Sequence, residues 1–297
     1  MSVEFEHVVD GADEPYGVNG VRRVRRVVFH VVVGLLVLGL AVQWWVVATP
    51  LLVWFPDDFV NDFFASRIDD FSIHRIHRLA LALSHVIVLV GLAVQFRRPH
   101  AREAAMWQVS AFFVMAVVLN LIIGPTSEQV PPPVWIIFGL GVLAGVLHPT
   151  SPILRLPKLA STRLLALTVA LAGPMMFYVF DHVGLQANGV ATDPHWEDSH
   201  YQLVAELGLH LILLGIVTAS LFSGRRITAW MTGLGAAVMG SASLVFPDQT
   251  SGLGIGWGLA LACWGLVFIV VSESEIRGNG SSDPSGEDSL PAGQSVT

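Results

Sequence analysis

Long apolar stretches recur along this chain, each bounded by charged or turn-forming residues. Each stretch is close to the ~20 residues that an α-helix needs to cross a bilayer. The pattern predicts eight membrane-spanning helices, with the fourth the shortest, at residues 27–49, 75–96, 104–124, 133–148, 163–183, 201–223, 227–246 and 252–272. The predicted fold is therefore all-α, a polytopic integral membrane protein with eight transmembrane helices.

Two of these stretches resemble one another. Residues 74–98 read HRIHRLALALSHVIVLVGLAVQFRR and residues 200–226 read HYQLVAELGLHLILLGIVTASLFSGRR. The likeness continues into the span that follows each, where Trp107 and Trp230 occupy matching positions. A period of about 124 residues that covers four spans predicts an internal repeat of two tandem four-helix units. Because four is an even number of crossings, the two units should share one orientation.

The repeat predicts how the chain is divided. A first four-helix unit covers residues 27–148 and a second covers 163–272, with an inner linker at 149–162. Residues 1–26 form a predicted cytoplasmic N-terminal segment. Residues 273–297 are polar and acidic, which predicts a disordered cytoplasmic tail.

Composition supports the membrane assignment. Hydrophobic residues make up 53% of the chain and charged residues only 13%, which is too apolar for a water-soluble domain. The lipid bilayer is therefore the expected main partner, and we expect no nucleic-acid partner for a chain with a net charge of −7. The single cysteine, Cys263, excludes an internal disulfide and any cysteine-based metal cluster.

Basic residues predict the orientation, because loops kept in the cytoplasm retain Lys and Arg. Of the 16 basic residues, all but Arg67, Arg75 and Arg78 fall in the N-terminal segment, in predicted inner loops or after the last span. We therefore predict a multi-pass protein of the cell membrane with both termini in the cytoplasm.

Histidines at mid-membrane depth point to a cofactor, because ionisable side chains are costly in hydrocarbon and usually mark a site. His85 and His210 each lie about ten residues into their spans, ~15–17 Å below His74 and His200. Two imidazoles at equal depth can ligate one iron, so we predict haem b bound by His85 and His210, with His77 and His200 as alternates. The structural alternative is hydrogen bonding across a helix interface.

A second hypothesis places a transition-metal ion, copper, zinc or iron, at the outer rim. Histidines three residues apart near the start of the second span can face one ion, and the loop before the sixth span adds nitrogen and oxygen ligands. The candidate ligands are His74, His77, His182, His195, His200 and Asp181.

A third hypothesis is proton movement. Glu206 lies four residues before His210 and shares its helix face, so it could relay protons inward from the acidic outer surface. The alternative is a neutral Glu206 capped by a neighbouring hydroxyl or amide. A metal-dependent intramembrane hydrolase using Ser84, His85 and Asp181 is the least supported reading, because no nucleophile motif accompanies these residues.

The layout resembles haem A synthase and related haem-handling membrane proteins, which have two similar four-helix halves. The His77-Arg78 pair within IHRIHRLALALSH matches the His-Arg pair that opens an even-numbered span in that family. The resemblance implies haem handling or electron transfer, a respiratory-chain or other redox partner, and oxidoreductase-like chemistry if the protein is an enzyme. Spans four and eight lack that family's histidines except His148, which implies a haem-binding relative rather than haem A synthase itself. The H-x5-E-x3-H run at 200–210 is similar to copper-handling proteins of oxidase assembly, and implies copper binding or transport.

Overall fold

The computed structural model describes residues 16–56, 58–60, 71–123, 132–151, 154, 158–190, 192–197 and 199–280. These residues form an all-helical protein, as the apolar pattern predicts. Its main helices are α1 (Tyr16–Ala41), α2 (Trp44–Leu52), α3 (Phe71–Ala93), α4 (Glu103–Ile123), α5 (Pro132–Leu147), α6 (Thr162–Asn188), α7 (His200–Thr218), α8 (Arg225–Val245) and α9 (Gly254–Gly280).

Seven helices in the described part of the chain are long and apolar enough to cross a membrane. They are Val21–Ala41, Ile73–Ala93, Glu103–Ile123, Thr162–Asn188, His200–Thr218, Arg225–Val245 and Gly254–Arg277. The stretch predicted as the fourth span forms a shorter apolar helix, Trp135–Leu147, within α5. These helices indicate a multi-pass membrane protein.

The first predicted span, 27–49, differs from the structure because it is two helices. Helix α1 ends at Ala41 and α2 begins at Trp44. Between them the backbone of Gln43 leaves the helical region, with φ −87° and ψ 42°. The carbonyl of Gln43 then accepts the N–H of Val46 at 2.9 Å, which starts the next helix.

The tail predicted to begin at 273 also differs, because α9 continues to Gly280. An i,i+4 ion pair between Arg277 and Glu273, at 3.7 Å, accompanies the extra turns. The rest of that tail, 281–297, lies outside the described residues, as do residues 1–15 of the N-terminal segment and parts of the inner linker.

By their contacts, eight of the named helices can be described as a first and a second group of four, and α2 packs against α3 of the first group. In the first group α1 packs against α3 and α5, and α4 also packs against both. In the second group α6 packs against α7 and α9, and α8 also packs against both. The two groups meet where α7 and α8 contact α3 and α4. Helices α3 and α7 are therefore neighbours at the centre of the molecule.

Glycines bring α8 and α9 into backbone contact. A Cβ added at Gly265 would lie 2.7 Å from the backbone nitrogen of Ala237, and one added at Gly240 would lie 2.6 Å from the carbonyl oxygen of Gly258. Such small residues let helices approach closely in a bilayer, where packing rather than water exclusion drives association. This tight pair positions the loop between α8 and α9.

Hydrogen bonds of Arg25 and His148 stabilise the C-terminal end of α5. The Arg25 guanidinium donates to the carbonyls of Val146 and His148 at 2.9 and 2.8 Å, satisfying acceptors at the end of α5. The buried His148 ring donates from Nε2 to Gln95 Oε1 at 3.2 Å, and Nδ1 accepts the backbone N–H of Thr150 at 3.3 Å. These contacts require the neutral imidazole.

Stability should depend on pH through His148. Burial lowers the pKa of His148 from 6.5 to about 4. The unfolded chain therefore binds a proton between those values when the folded chain does not, so stability falls as pH drops from about 6.5 to 4, by at most about 3 kcal/mol. Thermal unfolding of wild type and His148→Gln at pH 7 and 4.5 tests this. The stability advantage of wild type should shrink at the lower pH, and an unchanged advantage would contradict the assignment.

Candidate metal centre

Three buried histidines converge where α3 and α7 begin. His74 and His77 lie in the first two turns of α3, and His200 is the first residue of α7. One nitrogen from each ring lies within 4.8 Å of the other two. Because α3 and α7 are neighbours and start at the same end of the bundle, the rings share one place. We call these residues the three-histidine site.

His77 has a nitrogen available for an ion. Its Nε2 lies 2.8 Å from Ser251 Oγ, in the loop between α8 and α9. Its Nδ1 is buried and has no hydrogen-bond partner within the described residues. An Nε2–H that donates to Ser251 leaves the lone pair on Nδ1, and metal-bound histidines are usually fixed in one tautomer by such a bond.

Two serines beside the site have left-handed backbone conformations. Ser199, which precedes His200, has φ 58°, and Ser251 has φ 64°. Residues other than glycine adopt this region at a cost, and such strain persists only where the surrounding structure enforces it. One of these serines immediately precedes His200, and the other contacts His77 through its hydroxyl.

His195 lies next to the three-histidine site and is oriented by Asp193. The His195 ring centroid is 4.8 Å from those of both His74 and His77. Asp193 Oδ1 accepts the backbone N–H of His195 at 2.9 Å and lies 3.1 Å from its ring Nδ1, while the Tyr201 hydroxyl donates to Oδ2 at 2.9 Å. Partial burial raises the pKa of Asp193, but these hydrogen bonds outweigh it and hold the pKa below its usual value.

The other two predicted metal ligands do not join this group. His182 is not among the imidazoles whose nitrogens lie within 4.8 Å of one another, and the Tyr201 ring packs near both His182 and His77, with centroid distances of 5.9 and 5.8 Å. His182 Nδ1 donates to the Tyr178 carbonyl at 2.8 Å. The Asp181 carboxylate is 72% exposed and lies 4.0 Å from His182 Nδ1. Of the six predicted ligands, the structure brings three together and places His195 beside them.

His85 and His210, the predicted haem ligands, have separate hydrogen bonds. His85 Nδ1 donates to the Leu81 carbonyl one turn earlier, at 2.9 Å. His210 Nε2 donates to the Gln108 carbonyl on α4 at 2.9 Å, and its ring packs against Phe112 at 5.4 Å. Haem b ligation by these residues stays a prediction. Absence of Soret absorbance in protein expressed with ample haem would contradict it.

Glu206 is buried on α7 and connects to the loop between α6 and α7. Gln202 Nε2 donates to the Glu206 carboxylate at 2.8 Å, and the Gln202 backbone N–H donates to Gln186 Oε1 at 3.3 Å. Gln186 Nε2 donates to the Trp196 carbonyl at 2.9 Å. This polar path reaches from the loop to Glu206, whose role as a proton relay stays a prediction.

The sequence reasoning missed the residues that support the histidines. Asp193 stands in an Asp-Pro-His turn, a local signal that could have been noticed. Ser251 could not have been found this way, because it lies 174 residues from His77 and only the helix packing brings the two together.

Comparison with known proteins adds no family to this picture. No protein-family model, no curated protein and no solved structure matches the chain. A fold alone does not define a function, so the chemistry of the site has to carry the assignment.

Proposed function

We propose that the protein binds one transition-metal ion, zinc or copper, through His74, His77 and His200. The observation that carries the proposal is the convergence of three buried imidazoles within 4.8 Å, one of which has an unpartnered Nδ1. A buried polar atom without a partner costs free energy, and coordination would remove that cost. Neutral imidazole is a preferred ligand for zinc and copper.

The proposed site has three protein ligands and one open position. His195 is the nearest further imidazole, but both of its nitrogens already face oxygen atoms, Asp193 Oδ1 at 3.1 Å and the Ile73 carbonyl at 3.2 Å. Three ligands and an exchangeable fourth position are typical of ions that take up a substrate or pass to another ligand. This favours metal handling, including copper delivery in oxidase assembly or transport, over a purely structural ion.

We also infer that the two groups of four helices are tandem repeats in one orientation, with both termini inside. The matching pattern of packing in the two groups supports the repeat. Helix α5, with 16 residues and a length of ~24 Å, would then be a short fourth span to which the bilayer adapts by local thinning. The three-histidine site would lie at the outer face of the cell membrane.

Elemental analysis tests the metal proposal. The full chain, purified in detergent with a tag that lacks histidine, is incubated with Zn²⁺ or Cu²⁺ and dialysed against metal-free buffer. We expect about one retained ion per chain, because the described residues form one such histidine group. Retention of neither ion would contradict the proposal.

Replacing Ser251 with alanine should weaken metal binding without abolishing it. The variant loses the acceptor that fixes the His77 tautomer, so the affinity for Zn²⁺ should fall roughly 10- to 100-fold. Ser272→Ala is the matched control, because Ser272 is a buried serine whose hydroxyl bonds only to its own helix, at Phe268, among the described contacts. Competition with a chelator measures both affinities, and equal values for the two variants would contradict the role of Ser251.

A further inference from the structure

A groove runs between α6 and α9, and its lining includes Gly252, the residue after Ser251. Its volume is about 730 Å³, within the usual range for a small-molecule site. Its walls are mainly apolar and aromatic, and include Pro174, Phe177 and Tyr178 on α6 and Trp257 and Trp264 on α9. We call it the α6–α9 groove.

The α6–α9 groove faces the surroundings of the bundle rather than its core. Phe177 is 80% exposed and Trp257 is 61% exposed, so the side of the groove is open where lipid would surround the helices. Pro174 has no N–H, so the carbonyl of Ala170, which also lines the groove, lacks its usual helical donor. A ligand that enters here must be apolar over most of its length, because it reaches the groove through hydrocarbon.

Polar groups at one end of the groove lead toward His77. Tyr178 and Gly252 line the groove, and the Tyr178 hydroxyl donates to the carbonyl of Ser251. Ser251 Oγ in turn contacts His77 Nε2 at 2.8 Å. The groove therefore ends one residue away from a side chain that touches a proposed metal ligand.

We propose that the α6–α9 groove binds the hydrocarbon chain of a lipid whose polar head takes the open position of the metal ion, a proposal that rests on the metal site. From Ala170 to Tyr178 the groove follows ~12 Å of α6, enough for most of a 12-carbon chain. The apolar wall contacts the chain, and the head lies beside Tyr178 and Ser251. The site's ligand is thus a long-chain amphiphile drawn from the membrane rather than a solute from water.

A second apolar cavity serves as the comparison for the α6–α9 groove. It lies between α4 and α7, has a volume of about 470 Å³, and is lined by apolar side chains together with Trp107. Its lining includes no chain neighbour of Ser251, whereas Gly252 lines the α6–α9 groove. It provides the matched control for the α6–α9 groove.

The test uses the Co²⁺-loaded full chain in phosphatidylcholine nanodiscs, because bound Co²⁺ has a visible spectrum that reports on its ligands. Lauryl hydroxamic acid supplies a metal-binding head on a 12-carbon chain, and acetohydroxamic acid supplies the head alone. We expect both to change the spectrum, with at least a 100-fold lower dissociation constant for the lauryl compound. Ala260→Trp, at an exposed residue that lines the groove, should weaken lauryl binding at least tenfold and leave acetohydroxamate binding and Co²⁺ content unchanged.

Val114→Trp, at an exposed residue of the second cavity, is the control and should behave as wild type. If Co²⁺ binds but Ala260→Trp and Val114→Trp leave lauryl binding equally strong or weaken it equally, the lipid proposal is overturned while the metal site stands. If no Co²⁺ binds, the metal site and the lipid proposal fail together.

Discussion

Replacing His77 with glutamine is expected to lower the affinity for Zn²⁺ or Cu²⁺ by a factor on the order of 100 or more, since even a residue that only supports a ligand contributes 10- to 100-fold. The variant removes one of three imidazoles and leaves a neutral amide of similar size, which is a poor ligand for these ions. Equilibrium dialysis against a chelator of known affinity measures the change.

His182→Gln is the matched control for His77→Gln. His182 is also buried and also a predicted ligand, but its nitrogens do not join the group formed by His74, His77 and His200. We expect His182→Gln to retain metal within a few-fold of wild type. If it loses as much affinity as His77→Gln, the ligand set assigned here is incorrect.

Gly265→Leu should destabilise the fold more than any other substitution discussed. A Cβ at this position would lie 2.7 Å from the backbone nitrogen and 3.2 Å from the Cα of Ala237, so helices α8 and α9 would have to separate. Overpacking against movable side chains typically costs 1–3 kcal/mol, and a clash with backbone should cost about 3 kcal/mol or more. Thermal unfolding in detergent, followed by size-exclusion chromatography, measures the loss.

Gly256→Leu, on the same helix, provides the comparison for Gly265→Leu. Gly256 is exposed, and an added Cβ there would have no neighbouring atom within 4 Å among the described residues. The variant should unfold within a few degrees of wild type. Similar losses in the two variants would show that leucine disturbs α9 itself rather than its contact with α8.

Most of the helical architecture could be predicted from the sequence, because apolar runs of membrane length leave the backbone little alternative to helix. The positions where these helices begin and end were harder to predict. The break falls on Gln43, a single polar residue between apolar stretches, and the continuation of α9 to Gly280 passes through a polar segment. A backbone turn at Gln43 and an ion pair between Arg277 and Glu273 accompany these departures, and the hydropathy pattern indicates neither.

Only part of the candidate site could be predicted from the sequence. The i,i+3 spacing of His74 and His77 placed them on one helix face, and the resemblance of the two spans placed His200 at the same depth. The sequence could not distinguish His182 from this group, because the distances between its nitrogens and the three imidazoles depend on helix packing. It also could not reveal Ser251, whose position depends on the packing of α8 against α9.

An X-ray absorption spectrum of the Zn²⁺-loaded protein tests the metal site most directly. We predict a first shell of three imidazole nitrogens and one oxygen atom at about 2.0–2.1 Å from the zinc ion. The outer-shell scattering should correspond to three imidazole rings. A spectrum that shows one imidazole or none around the bound ion, or one that is unchanged in His77→Gln, would contradict the three-histidine site.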